Sequence, residues 1–156
     1  MQSESSADRR TESEFEDLYR REWAPLVRTA LVLIGSMAQA EEIVQDAFLA
    51  LQTTRSHVTN PGGYLRTSVV NACRSVHRHR VVVDRTVIPA PGPVVDQPDE
   101  LADALRQLPW RQQAALVLRY HLDLPESEIA AALDCRPSTV RSLIKRGLST
   151  LRKEIG

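Results

Sequence analysis

Pro89, Pro91, Pro93 and Pro98 crowd one short stretch of this chain and forbid a regular helix there. On both sides of that stretch, apolar residues recur at three- and four-residue steps, the period of an amphipathic helix. Such a chain divides into two helical pieces, because closely spaced prolines favour an extended, semi-rigid backbone between them. Val81-Val82-Val83 has the composition of a short strand, but the prolines beyond it and the want of a partner strand make it the start of the linker. The expected fold class is all-α. Two small helical domains, residues 14–80 and 99–156, are joined by a Pro-rich linker over 81–98, and the second ends in a helix-turn-helix.

Residues 1–13 are polar and charged and are expected to be disordered. A first helix follows, with Phe15, Leu18, Trp23, Leu26, Val27, Ala30, Leu31 and Ile34 on one apolar side, and Gly35 ends it. Ser36 and Gln39 have the spacing of a capping box for a second helix. Its stripe is Ala40, Ile43, Val44, Ala47, Phe48 and Leu51, while Glu41, Glu42, Gln45, Asp46 and Gln52 face away. Asn60-Pro61-Gly62-Gly63 then opens a third helix, whose inward residues are Tyr64, Leu65, Ser68, Val69, Ala72, Cys73 and Val76. Its other side carries Arg66, Thr67, Asn71, Arg74, His77 and Arg78, with no acid between 61 and 83.

Beyond the linker, Leu101, Leu105 and Leu108 mark a short helix stopped by Pro109. Trp110 to Leu122 forms the next, with Ala114, Val117, Leu118 and His121 expected to face inward. Ile129, Ala130 and Leu133 are the buried side of the first helix of the helix-turn-helix. Asp134-Cys135-Arg136-Pro137 breaks the pattern, with Pro137-Ser138 able to start the next helix. Val140, Ile144, Leu148 and Leu151 give the last helix its apolar stripe, opposite Arg141, Lys145, Arg146, Arg152 and Lys153. A helix of that kind fits a B-DNA major groove, with cations where phosphates lie; it also fits a solvated basic face on an ordinary helical hairpin.

The formal net charge of zero conceals alternating blocks. Residues 1–54 hold ten acids against five bases, and 55–85 hold six bases against one acid. Residues 86–134 hold eight acids against three bases, and 135–156 hold six bases against one acid. Basic blocks suit polyanions; acidic blocks suit a protein partner or repel DNA. No apolar run of membrane-spanning length and no signal-peptide core is present, so a cytoplasmic protein without a membrane partner is expected. Cys73 and Cys135 lie in different pieces and read as reduced thiols. Cys73, His77 and His79 are close enough to raise a metal site, but no fourth ligand is adjacent and Cys73 belongs to an apolar stripe, so no metal is expected. No cofactor or catalytic motif is present, and nothing argues for an enzyme.

Three segments, taken in order, resemble the extracytoplasmic-function sigma factors, compact members of the sigma-70 family of bacterial transcription initiation factors. They are AEEIVQDAFLAL, NPGGYLRTSVVNACRSVHRHR, and the long block from LRQLPW to the final LSTLR. Details such as YLRTSVVNACRS resemble an actinobacterial subgroup. The resemblance implies that Glu42, Gln45 and Asp46 dock on the β′ clamp helices of core RNA polymerase. It implies that Asn60, Arg66, Asn71, Arg74, His77, Arg78 and Arg80 handle the −10 element of promoter DNA, where cations neutralise a single strand and amides meet an extruded base. Ser138, Thr139, Arg141, Ser142, Lys145 and Arg146 match the −35-reading positions. The implied partners are core RNA polymerase, through its β′ clamp helices and β flap, promoter DNA, and an anti-sigma factor. Three positions depart from the family pattern: Ser75 stands where an acid is frequent, Leu143 where many relatives carry arginine, and Asp134 at the turn position where glycine is common, which an Asp can fill in a left-handed conformation at some cost. The alternative is an autonomous helix-turn-helix regulator whose front half senses or dimerises. A third reading is an adaptor that sequesters another factor through its acidic faces.

Overall fold

The computed structural model describes residues 2–84 and 100–155, and every regular element among them is helical. Gly35, at φ +75°, stops the first helix, α1 (Gln2–Ile34), where its N–H turns back to the Leu31 carbonyl at 2.7 Å. The Ser36 hydroxyl accepts the Gln39 N–H at 3.3 Å and opens α2 (Met37–Thr54). A 3-10 turn at Arg55–His57 leads to α3 (Pro61–Asp84), which has proline at its first position. The Asn60 side-chain oxygen accepts the Gly63 N–H at 3.1 Å there. A Cβ at 63 would come within 2.7 Å of the Asn60 amide nitrogen, so any larger residue there would displace the capping side chain.

The second half contains α4 (Glu100–Gln107), α5 (Trp110–Tyr120), α6 (Glu126–Leu133) and α7 (Pro137–Ile155). Between α6 and α7, Asp134 takes the left-handed conformation its position calls for, φ 53° and ψ 54°. This lets the Cys135 N–H return to the Ala130 carbonyl at 3.0 Å and closes the turn of the helix-turn-helix.

The structure corrects three expectations. Residues 2–13 are helical, not disordered: no Gly or Pro interrupts 2–24, so nothing breaks the helix that continues into the apolar stripe. The third helix runs through Val81–Asp84 instead of yielding to the linker at 81, since the first linker proline comes only at 89. The rest of the expected linker, 85–98, and the boundary at Asp99 lie outside the described residues. His121 is exposed at the C-terminal cap of α5, not turned inward, because the helix has ended before it.

The apolar stripes meet in one continuous core. Leu26, Ala30, Val44, Leu51, Leu65, Val69 and Cys73 from the first half pack with Leu118, Ile129, Leu133 and Val140 from the second. The two halves therefore rest on each other, with α6 against α3 and α5 against α1. A smaller cluster of Ala104, Leu108, Leu116 and Leu151 seats α4 on α5 and α7. Burying each large aliphatic side chain contributes about 1.5–3 kcal/mol, so the shared core is the main reason for the halves to stay together. Thr29, fully buried inside α1, satisfies its hydroxyl by donating to the Pro25 carbonyl at 2.9 Å, an acceptor in its own helix.

Where α7 crosses α5, Gly147 provides the room: a Cβ there would come within 2.8 Å of Leu116 Cδ1. Gly147→Val is expected to destabilise the chain by about 1–3 kcal/mol through overpacking, read as a lowered Tm. Burial pushes the Cys73 thiol up to about 12, while Cys135 is half-buried at the turn. With a thiol reagent at pH 8, Cys135 is expected to react first and Cys73 only as fast as the chain opens.

Candidate nucleic-acid and partner interfaces

Three surfaces carry the sequence-predicted residues. On α2, Ala40, Val44, Ala47, Phe48 and Leu51 are buried, which turns Glu41, Glu42, Gln45 and Asp46 to solvent. Glu42, Gln45 and Asp46 form no side-chain hydrogen bond or ion pair among the described residues, so this acidic-amide face stands open. Beside it lies an aromatic group that the sequence reading passes over. Tyr19 stacks on Trp23 at 5.0 Å between ring centroids and touches Phe48 at the same distance. Together with Phe15 and Leu49 they line a shallow cavity that also includes Glu41 and Gln45. Tyr19 is 42% exposed and Leu49 54%, so this apolar ground continues the acidic face. The signal in the sequence is the i, i+4, i+8 spacing of Phe15, Tyr19 and Trp23.

On α3 the predicted residues do not form one open cationic groove. Asn60 is the helix cap, its oxygen already used. Arg66 is held between Glu22, at 3.5 Å, and Glu128 of α6, and its side chain is only 15% exposed. Arg74 donates to the Leu133 carbonyl at 3.1 Å, and its guanidinium lies 5.7 Å from the Trp110 ring centroid. His77 packs beside the same ring at 6.1 Å. Arg80 donates to the Ile34 carbonyl and, at 2.6 Å, to the Gln39 side-chain oxygen. Only Asn71 and Arg78 of the set face solvent without a partner among the described residues.

On α7, Val140 is fully buried and Leu143 and Ile144 pack against the core, which turns Ser138, Arg141, Ser142, Lys145 and Arg146 outward. Thr139 is half-buried. Leu143 thus takes the apolar role open to it. Arg141 pairs with Glu126 at 2.9 Å, but both side chains are well exposed, so the pair is worth at most about 1 kcal/mol. This face is a cationic ridge along the exposed side of α7. An apolar cleft of about 560 Å³ lies on another side of the second half, lined by Leu101, Leu105, Leu116, Leu148 and Leu151 together with Val32 of α1.

Among the described residues, no three His, Cys, Asp or Glu side chains lie close enough to hold a metal, and no helix is long and apolar enough to cross a membrane.

Burial, reinforced by the Arg80 charge, holds the His77 imidazole below its ordinary 6.5. The folded chain keeps His77 neutral, so below pH 6.5 the unfolded chain takes up a proton that the folded chain resists. Stability should therefore fall as the pH drops below 6.5, and His77→Gln should shrink the loss in Tm between about pH 6.5 and 5, measured by thermal melts across that range.

The family described as Sigma-70, region 4, matches residues 99–151. The RNA polymerase sigma factor CarQ of Myxococcus xanthus is 32% identical, over 91% of this chain and 89% of its own length. The ECF RNA polymerase sigma factor RpoE of Cereibacter sphaeroides is 30% identical, over 95% of this chain and 90% of its own. In fold, the chain is similar to the sigma factor RpoE of Bartonella quintana, solved in complex with the anti-sigma factor NepR. The TM-score is 0.74 at 21% identity, covering 91% of this chain and 96% of that one.

Proposed function

The chain belongs to the extracytoplasmic-function sigma factors of RNA polymerase, and from that premise we propose how its surfaces divide the work of promoter-specific initiation. The observation that carries the proposal is the separation of one open acidic face on α2 from the open cationic face of α7.

Glu42, Gln45 and Asp46 attach the factor to the β′ clamp helices of core polymerase. Exposed carboxylates one turn apart, flanked by an amide, suit arginines on a coiled coil, and their lack of internal partners leaves them available. Tyr19 and Leu49 add apolar ground to the same contact. The apolar cleft on the second half is the surface assigned to the β flap. Arg141, Lys145 and Arg146, with Ser138, Thr139 and Ser142, read the −35 element: hydroxyls and helix N-terminal amides fix phosphates, while Arg141 reaches a guanine edge.

The α3 residues Asn60, Arg66, Asn71, Arg74, His77, Arg78 and Arg80 handle the −10 strand. Neutral His77 acts there as a packing and hydrogen-bonding group, and the arginines supply the charge. The factor is not itself an enzyme; phosphodiester chemistry belongs to the polymerase, and the factor works where the polymerase works, in the cytoplasm. An anti-sigma factor is a further partner, since the neighbour from Bartonella quintana is held by one. The autonomous-regulator alternative loses ground because the relatives align across the front half as well as the helix-turn-helix.

The test is Gln45→Ala with Asp46→Ala. Both side chains are exposed, so the fold should be unaffected. Core-polymerase affinity, measured by pull-down and fluorescence anisotropy, is expected to fall at least tenfold, and run-off transcription with it. Undiminished affinity and transcription would overturn the docking assignment.

A further inference from the structure

We propose that a cavity between α3, α5 and the end of α6 binds the diphosphate group of a small phosphorylated metabolite, held by Arg74, Arg78 and Arg111. Such a site lies outside promoter recognition and stands whichever residues of α3 meet DNA.

The cavity measures about 360 Å³ and is lined by Arg74, His77 and Arg78 of α3, Trp110 and Arg111 of α5, and Asp134 beyond α6. That size falls at the lower end of ligand sites, about 300–1,000 Å³. Its walls are rich in donors and poor in acceptors. Arg74 and Arg111 donate to the same Leu133 carbonyl, at 3.1 and 3.2 Å, so two guanidinium charges from different helices converge on one neutral oxygen. Among the described residues neither has a carboxylate partner. Arg78, beside them, is exposed and also unpaired there. The Trp110 indole N–H is buried with no acceptor. Trp110 also opens α5, whose cap, Pro109, gives no side chain to the first amides, so the positive end of a helix adds to the charge. Asp134 is the one carboxylate on the lining, and it pairs with none of the three arginines.

Like charges held this close repel. The Trp110 ring, whose centroid lies 5.7 Å from the Arg74 guanidinium, offsets only part of that cost. An oxyanion between the arginines turns the repulsion into charge-assisted hydrogen bonds. Each guanidinium has five donors and uses one on Leu133, which leaves a fork for phosphate oxygens. Three such forks outnumber the oxygens that one orthophosphate can turn to them, whereas a diphosphate has enough. The Trp110 ring is flanked by Arg74 and His77, so it offers no open face to a nucleobase, and recognition stops at the phosphates. Free pyrophosphate, the leaving group when nucleotides are joined, and a nucleoside diphosphate share this group. Bound there, the anion ties α3 to α5 and stabilises the folded chain.

The experiment uses the full chain at constant ionic strength and without divalent cations. Isothermal titration calorimetry and thermal melts are run with pyrophosphate, ADP and orthophosphate. Pyrophosphate is expected to bind saturably at one site, to raise the Tm, and to bind at least tenfold tighter than orthophosphate. Arg78→Ala, which has no internal bond to lose, and Arg111→Ala should each weaken pyrophosphate at least fivefold. Lys153→Ala, which removes an exposed charge on α7 outside the cavity, should leave affinity within twofold. Circular dichroism reports retained helices in each variant. ADP binding as well as pyrophosphate assigns the site to the diphosphate end of a nucleotide; ADP binding more weakly assigns it to free pyrophosphate. Absence of saturable binding, or an equal loss in Arg78→Ala and Lys153→Ala, overturns the site and leaves the assignment of α3 to the −10 strand as it is.

Discussion

An α-helix leaves its last carbonyls without partners in its own ladder, and in this chain those orphan acceptors anchor contacts between helices, two of them across the junction of the halves. Near the end of α1, Val32 is capped by Gln113 of α5 and Ile34 by Arg80 of α3. At the end of α6, Leu133 takes both Arg74 of α3 and Arg111 of α5. Each bond satisfies a carbonyl that would otherwise be desolvated, and the Gln113–Val32 and Arg74–Leu133 bonds also fix the angle at which one half meets the other. Hydrogen bonds from charged donors contribute about 1.5–3 kcal/mol each, so a few of them set orientation for a core whose apolar contacts are not directional.

Electrostatics explains why a factor with two cationic helices carries no net charge. The basic block on α3 meets an acid from each side, Glu22 of α1 and Glu128 of α6, both converging on Arg66. The first acidic block thus both partners Arg66 and, through the outer side of α2, supplies an open face. The last basic block, on α7, stays mostly unpaired, with only the exposed Arg141–Glu126 contact. Internal pairing consumes charge on α3 and spares it on α2 and α7, which is how one neutral sequence carries two strongly charged surfaces.

Periodicity made the helices and their buried sides readable from residues alone, because a stripe such as Ala40, Val44, Ala47, Phe48 and Leu51 allows only one face to turn inward. The break between α6 and α7 was equally readable, since Asp134-Cys135-Arg136-Pro137 interrupts the apolar period and Pro137 can start the next helix. What periodicity does not report is helix without a stripe: residues 2–13 and 81–84 are helical through continuation, not through an apolar face. Nor does it report contacts between elements distant in sequence. Gln39 has the spacing of a capping box, yet its side-chain oxygen is taken by Arg80, forty-one residues away. Asn60 looks like a free amide and is a helix cap. Arg66 and Arg74 look like a solvated basic face and are committed to α6, a fact that depends on how two halves pack and not on either half's pattern.

The acceptors at Val32, Ile34 and Leu133 are main-chain atoms, present whatever side chain those positions carry. Drift at these three sites can disturb packing but cannot delete the acceptor. Heritable adjustment of these polar ties between the halves thereby falls to the donors Arg74 and Gln113, and to the one carboxylate, Glu128, that meets an arginine across the junction. Selection can loosen or tighten such a clasp by single steps at a handful of codons while the helices themselves stay as they are.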